Sequence, residues 1–193
     1  MRTYYLLFAF LLGTTSALSA QNADLKALAD EDQAVQFGKE VARSPQDRDK
    51  LVLELLAKGA AQTPQDKFNA AIVLQHTPLD FCEGRLISKS PDNYLLGHYL
   101  AKQAYAGGYK PAGVLVAQSI DRYLTFTEGR QLYGTNRLNN QKTGKEELVP
   151  IDRSFPDSER VKLGLPTLEQ LLKAYPEQKP EKNAGPKNPK QRK

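Results

Sequence analysis

Two histidines, His76 and His98, and the lone Cys82 are the residues of this 193-residue chain whose types suit acid–base, nucleophilic or metal chemistry. Together they fall short of a four-ligand Cys/His zinc site, and neither histidine has a His-x-x-x-His spacing. A mixed site with carboxylates stays open. His98 borders a small-residue helical face beside Tyr94, Ala101 and Tyr105, where a hydrogen-bonded border histidine is the simplest reading. His76 ends a helix, where a cation complements the dipole. Cys82 acts as a nucleophile only if a nearby base lowers its pKa, and is otherwise an idle thiol. No Gly-x-Ser-x-Gly, phosphate-cradling glycine loop or dinucleotide fingerprint occurs, so no catalytic residue, metal or cofactor is expected.

A denser group of polar residues runs from Asp121 to Asn136. Asp121 sits at the edge of a buried helical face and Arg122 on the opposite one, so the two do not pair. Asp121 is then free to reach Arg130, Arg137, Arg153 or Arg160, or the backbone of the Tyr133-Gly134-Thr135 turn. Gly134 is expected to supply a positive φ or a close backbone approach, while Gln131, Thr135 and Asn136 present hydrogen-bonding groups from one short segment. Three readings follow. The blandest is that these residues stitch a hairpin onto a helical bundle. The next is a recognition groove built from Asp121, Gln131, Tyr133, Gly134, Thr135, Asn136 and Arg160. The sharpest is an active site with Asp121 or Asp152 as general base and an arginine facing developing negative charge.

Helix punctuation shows what must position them. Asp24 to Arg43 reads as a helix halted by Ser44-Pro45, an N-cap followed by proline at the first helical position. The helix it opens carries Leu51, Val52, Leu55 and Leu56 and stops at Gly59. Thr63-Pro64 and Ser90-Pro91 repeat the signal, and a further helix spans about Pro111 to Thr125, closed by Glu128-Gly129. On the Pro91 to Ala106 helix, Gly97, Ala101 and Ala104 share one face. Gly113 and Ala117 do so on the next. Small residues at i and i+4 let backbones approach, and the short connection makes the pair antiparallel. Two short alternating runs around Asn139 to Gly144 read as a β-hairpin formed by Gln131 to Asn136 and Glu147 to Ile151. Asp157 to Val161 reads as one helical turn, and Thr167 caps a last helix from Leu168 to Ala174. The fold class is therefore mainly α: an antiparallel helical array with a small β-hairpin or irregular C-terminal segment.

The turn Ala104-Tyr105-Ala106-Gly107-Gly108-Tyr109-Lys110-Pro111-Ala112 resembles that of tetratricopeptide or Sel1-like helical hairpins, over about 35 residues. No second copy follows at that period. Asp121-Arg122-Tyr123-Leu124, Gly129 to Asn136, Pro150-Ile151-Asp152, Glu159-Arg160 and Gly164 to Leu168 together resemble a family of uncharacterised bacterial secreted proteins. Asp32-Gln33 and Ala71 to His76 fit the same pattern. Members often read Tyr-Gly-Thr-Gln where this chain has Tyr-Gly-Thr-Asn. The resemblance implies a fold and a location, and no chemistry.

Location is also written in the first 20 residues. Arg2, the apolar run Tyr4 to Leu12 and the small residues Gly13 to Ala20 compose a secretory signal peptide, too short in its apolar part to span a bilayer. The formal net charge of +5 is confined to 178–193, with six Lys/Arg against one Glu, whereas 21–177 holds 20 basic and 21 acidic residues. That tail, with three prolines and nothing large to bury, is expected to be disordered and able to touch anionic surfaces. A nucleic-acid binder needs its basic face on the folded part, so no nucleic-acid partner is expected. The expectation is a soluble exported protein, periplasmic or extracellular. It binds an envelope protein, peptide or wall polymer through the Asp121 to Arg160 surface, with a small carboxylate hydrolase of envelope material as the alternative.

Overall fold

A computed structural model describes residues 20–82, 85–140 and 144–178. The leader and the tail beyond Gln178 lie outside the described residues, as does part of the Asn139 to Gly144 turn. The element order is α1 (Ala23–Gln36), α2 (Pro45–Ala57), α3 (Pro64–Leu74), β1 (Leu79–Cys82), β2 (Arg85–Ser88), α4 (Pro91–Ala106), α5 (Ala112–Glu128), β3 (Arg137–Asn139), β4 (Glu146–Leu148), α6 (Asp157–Lys162) and α7 (Leu168–Ala174). The protein is mainly helical with two antiparallel hairpins, β1–β2 and β3–β4. No described helix is long and apolar enough to cross a membrane.

Local chemistry sets most helix starts. Ser44 and Thr63 accept the N–H three residues on, and Pro45 and Pro64 open α2 and α3. At α3 and α7 a capping box is complete, Thr63 with Asp66 and Thr167 with Gln170. Asp66, fully buried, also accepts the Asn22 N–H at 2.7 Å and so ties the start of α1 to α3. Ser90 makes no side-chain cap, so Pro91 alone marks α4. The first helix is shorter than its sequence suggests: it ends at Gln36, because Gly38 turns into the left-handed region at φ 73° and Lys39 bonds back to Ala34.

The core joins α1, α2, α3, α4 and α5 through Leu25, Leu28, Val52, Val73, Leu74, Leu100 and Leu115, with Ala70, Ala71 and Ala101 allowing close approach. α4 lies between α3 and α5. The expected antiparallel α4–α5 pair is present, but its glycines serve different neighbours. A Cβ on Gly97 would meet the Ala71 carbonyl of α3 at 3.4 Å and Ser119 of α5 at 3.6 Å, whereas one on Gly113 would meet the Tyr105 ring at 3.1 Å. A second, smaller core of Leu148, Ile151 and Leu171 holds β4 against α7.

The C-terminal hairpin forms with a shifted first strand. Arg137, not Gln131, begins β3, and Gln131 to Asn136 is irregular, with only a parallel bridge from Gln131 to Ile151. The reason lies in Gly134, whose φ of 84° turns the chain where a Cβ would lie 2.5 Å from Leu171.

Candidate functional site

The Asp121 segment is a closed hydrogen-bond knot. α5 presents Asp121 one turn after Ala117, on the stripe that continues to Leu124, so the carboxylate is carried fully into the interior. One oxygen accepts the N–H groups of Leu132 and Tyr133 at 2.8 and 2.9 Å. The other accepts the Thr135 N–H at 2.9 Å and its hydroxyl at 2.8 Å. Burial pushes this carboxyl up from its ordinary range, and those donors pull it back. Of the partners open to it in the sequence, the turn backbone is the one engaged.

Gln131 is equally enclosed. Its amide NH2 donates to the carbonyls of Asn136 at 2.9 Å and Val149 at 2.8 Å, and its carbonyl accepts the Asn136 N–H at 2.7 Å. Asn136 donates to the Thr125 hydroxyl at 2.8 Å. Arg160, fully buried, donates to the Leu132 carbonyl at 2.5 Å, the Phe155 carbonyl at 2.9 Å and Asp157 at 3.0 Å. Its side chain also lies over the Phe155 ring, which meets Tyr133 edge-on. The structure thus brings Asp121, Gln131, Tyr133, Gly134, Thr135, Asn136 and Arg160 together. Asp121 and Gln131 are spent on the protein itself, as are the Asn136 amide nitrogen and both terminal nitrogens of Arg160, while the Arg160 Nε is buried without a partner. Asp152 stands apart. Its carboxylate is held below the usual range by the Ser154 hydroxyl and N–H, and it pairs with Arg130 at 3.1 Å, which makes it a weak base at neutral pH.

A second polar cluster lies where α1, α2, α3 and α4 meet. Asp32, 1% exposed, accepts the His76 Nδ1–H at 2.5 Å and faces the Arg48 guanidinium at 3.6 Å. Arg48 is itself 2% exposed; it donates to the Arg43 carbonyl at 2.7 Å, and its Nε has no partner. Beside this pair, Asp49 accepts from the Thr77 hydroxyl at 3.3 Å and the Asn93 amide at 3.2 Å. Burial pushes the Asp49 carboxyl up to about 6, the Thr77 and Asn93 hydrogen bonds oppose it, and the negative charge of Asp32 adds to it. From α5, Arg122 donates to the Gln75 carbonyl, and Ser119 to the Gln75 side chain at 2.9 Å. His76 is therefore a carboxylate-paired histidine, a partnership its helix-end position did not suggest. His98 is the expected border residue: its Nδ1–H donates to the Val116 carbonyl at 2.8 Å, and burial pushes its pKa down.

Sequence spacing does carry a trace of this cluster. Leu25, Leu28, Ala29 and Asp32 recur at i, i+3, i+4 and i+7, and Arg48 stands one turn before Val52, so each charge interrupts an apolar stripe. No group of three or more His, Cys, Asp or Glu among the described residues is arranged to hold a metal.

The remaining feature is the β1–β2 hairpin. Its register sets Leu79 opposite Ser88 and Phe81 opposite Leu86, so Leu79, Phe81 and Leu86 share one face. They are 44%, 65% and 39% exposed, and Ile87 on the other face is 41% exposed. Neither strand packs substantially on a helix, and neither pairs with a third strand among the described residues. Two open troughs lie elsewhere, one near Pro64 and Tyr109 and one near Leu165 and Tyr175. Comparison with protein-family models, curated proteins and solved structures returns no match.

Proposed function

We propose that the chain is exported and works as a non-enzymatic interaction protein, with the β1–β2 hairpin pairing with an extended segment of a partner polypeptide in the envelope. The observation that carries this reading is the combination of two strand edges that meet no further strand among the described residues with an exposed apolar face that packs on no helix substantially. A two-stranded hairpin of four-residue strands is marginal alone in water, and open edges are templates for another strand. N–H and C=O groups at peptide spacing match a polypeptide better than a sugar polymer. Residues 79–89 carry Asp80, Glu83, Arg85 and Lys89, a net charge of zero, so binding should resist salt.

The experiment is photo-crosslinking in the exporting cell with p-benzoylphenylalanine at Phe81, and in parallel at Phe37, which is 79% exposed but lies outside the hairpin. The expected result is a discrete polypeptide adduct from position 81 alone, persisting in high salt. Equal labelling from both positions, or none from position 81, overturns the reading.

A second reading, a small hydrolase of envelope material, is favoured by one observation. Asp49 feels the negative charge of Asp32 in the Asp32–His76 pair, and burial pushes its carboxyl up to about 6, a shift toward the range of a general acid or base. It would not use Asp121, saturated with donors, or Asp152. Against it, neither of the two open troughs takes in these side chains.

A further inference from the structure

The root of the β1–β2 hairpin is held by a cluster of side-chain hydrogen bonds centred on Asp49. Thr77 precedes β1 by two residues and Asn93 lies five residues after β2. The Asn93 amide donates to the Thr77 hydroxyl at 2.9 Å, and both side chains donate to the same oxygen of Asp49 on α2. A second tie, from the Tyr94 hydroxyl to the Thr77 carbonyl, is long at 3.4 Å, and the Lys89 N–H bonds across the root to the Pro78 carbonyl at 3.1 Å. We propose that Asp49, Thr77 and Asn93 form a proton-operated clasp on the hairpin root, shut when Asp49 is protonated and released toward solvent when it is ionised.

Hydrogen-bond bookkeeping gives the clasp its direction. The single Thr77 hydroxyl proton is claimed by two acceptors, the Leu74 carbonyl at 3.1 Å and the Asp49 carboxylate at 3.3 Å. With Asp49 ionised, the Thr77 proton serves only one of them at a time, and when it goes to Leu74 the buried carboxylate oxygen is left with the Asn93 amide alone. With Asp49 protonated, its new O–H donates to Thr77 Oγ1, which also accepts from Asn93, and the Thr77 proton goes wholly to Leu74. Every member is then satisfied. The charged groups around Asp49 agree with this sign. Asp32 on α1 repels the ionised form and outweighs Arg48 on α2, which is itself paired with Asp32. His76 after α3 is bonded to Asp32. Tyr94 on α4 stays neutral because burial raises its phenol, and Arg122 on α5 is engaged by the Gln75 carbonyl.

The sign for linkage follows from a carboxyl raised in the shut form. Shutting is favoured at low pH, and that preference is lost as pH rises through about 6. Between an ordinary value of 3.8 in the open form and about 6 in the clasp, the open-to-shut ratio rises on the order of tenfold from about pH 5 to about pH 7. That figure is a ceiling, since the carboxyl keeps an edge in water. The clasp would regulate the surface proposed above and in that sense rests on that reading. Its test requires no partner, so the two can fail separately: a missing crosslink removes the partner and leaves the clasp.

The test is amide hydrogen exchange by NMR on the intact chain, corrected for intrinsic rates, at the Lys89 N–H across the hairpin root. Its protection is expected to fall up to about tenfold from about pH 5 to about pH 7, while the Gln75 N–H inside the bundle stays constant relative to it. Asp49→Asn, which keeps a carbonyl acceptor and has no charge, should hold the root protected across the range. His76→Gln should retain the fall. Titration of the Asp49 carboxyl in the parent should give a midpoint near 6. Protection independent of pH in the parent, a fall that survives in Asp49→Asn or vanishes in His76→Gln, or an ordinary carboxylate midpoint overturns the proposal.

Discussion

Asp121→Ala is expected to lower the stability of the folded chain by about 3 to 5 kcal/mol, measured as a shift in the midpoint of chemical denaturation. Three backbone N–H groups and one hydroxyl lose their acceptor together. Each buried, unpaired group costs about 1 to 3 kcal/mol, and water entering the vacated space recovers part of the sum. Asp121→Asn should lose about half as much, because its amide oxygen still serves one pair of donors while its NH2 opposes the other pair. The damage should concentrate in the C-terminal part, since Leu132 and Tyr133 connect Asp121 to Arg160 and Phe155. An Asp121→Ala variant that unfolds with the parent would mean that Gln131 to Asn136 is anchored by something else.

The second large effect belongs to Asp32. Asp32→Ala leaves Arg48 buried without its counter-charge, with Nε already unpartnered, and strips His76 of its carboxylate. Breaking a buried pair from one side costs about 3 to 5 kcal/mol, although the intact pair contributes little net stability over a well-packed apolar one. The double variant Asp32→Ala/Arg48→Met should therefore recover much of the loss, and the double-mutant cycle should show strong coupling. A double variant as unstable as the sum of the singles would place the importance of Asp32 in His76 instead of Arg48.

What the sequence discloses and what it hides divide by range. Ser44-Pro45, Thr63-Pro64 and Thr167 are visible because a cap is a contact over three residues, and the antiparallel α4–α5 pair is visible because a short connection leaves no other arrangement. The Asp121 knot is half-visible. Buried-face geometry narrows its partners to several arginines or the turn backbone, but only the fold, in which Arg160 donates to the Leu132 carbonyl and leaves Asp121 to the turn N–H groups, decides among them. The polar groups of Gln131 and Asn136 read as available from their types, whereas the Gln131 amide bonds to Asn136 and Val149 and the Asn136 amide to Thr125 on α5. The Asp32–Arg48–His76 cluster spans three elements, and no spacing connects them. The β1–β2 hairpin escapes notice because Arg85 to Ser88 lacks strict alternation and its strands are only four residues long.

The proposed division of labour, in which a polar knot holds the fold and the hairpin is the surface for a partner, is tested most directly by affinity capture from envelope extract. The mature parent, Phe81→Ser/Leu86→Ser and Asn136→Ala are compared, each with its melting temperature. Losing the Asn136 bond to Thr125 should cost about 1 kcal/mol, so this variant should melt earlier and retain capture. The hairpin variant, altered at two exposed side chains on strands that pack on no helix substantially, should melt close to the parent and lose capture of the polypeptide crosslinked at position 81. Retained capture by the hairpin variant, with capture lost by an Asn136→Ala variant of parental stability, would contradict the account and return recognition to the Asp121 to Arg160 surface.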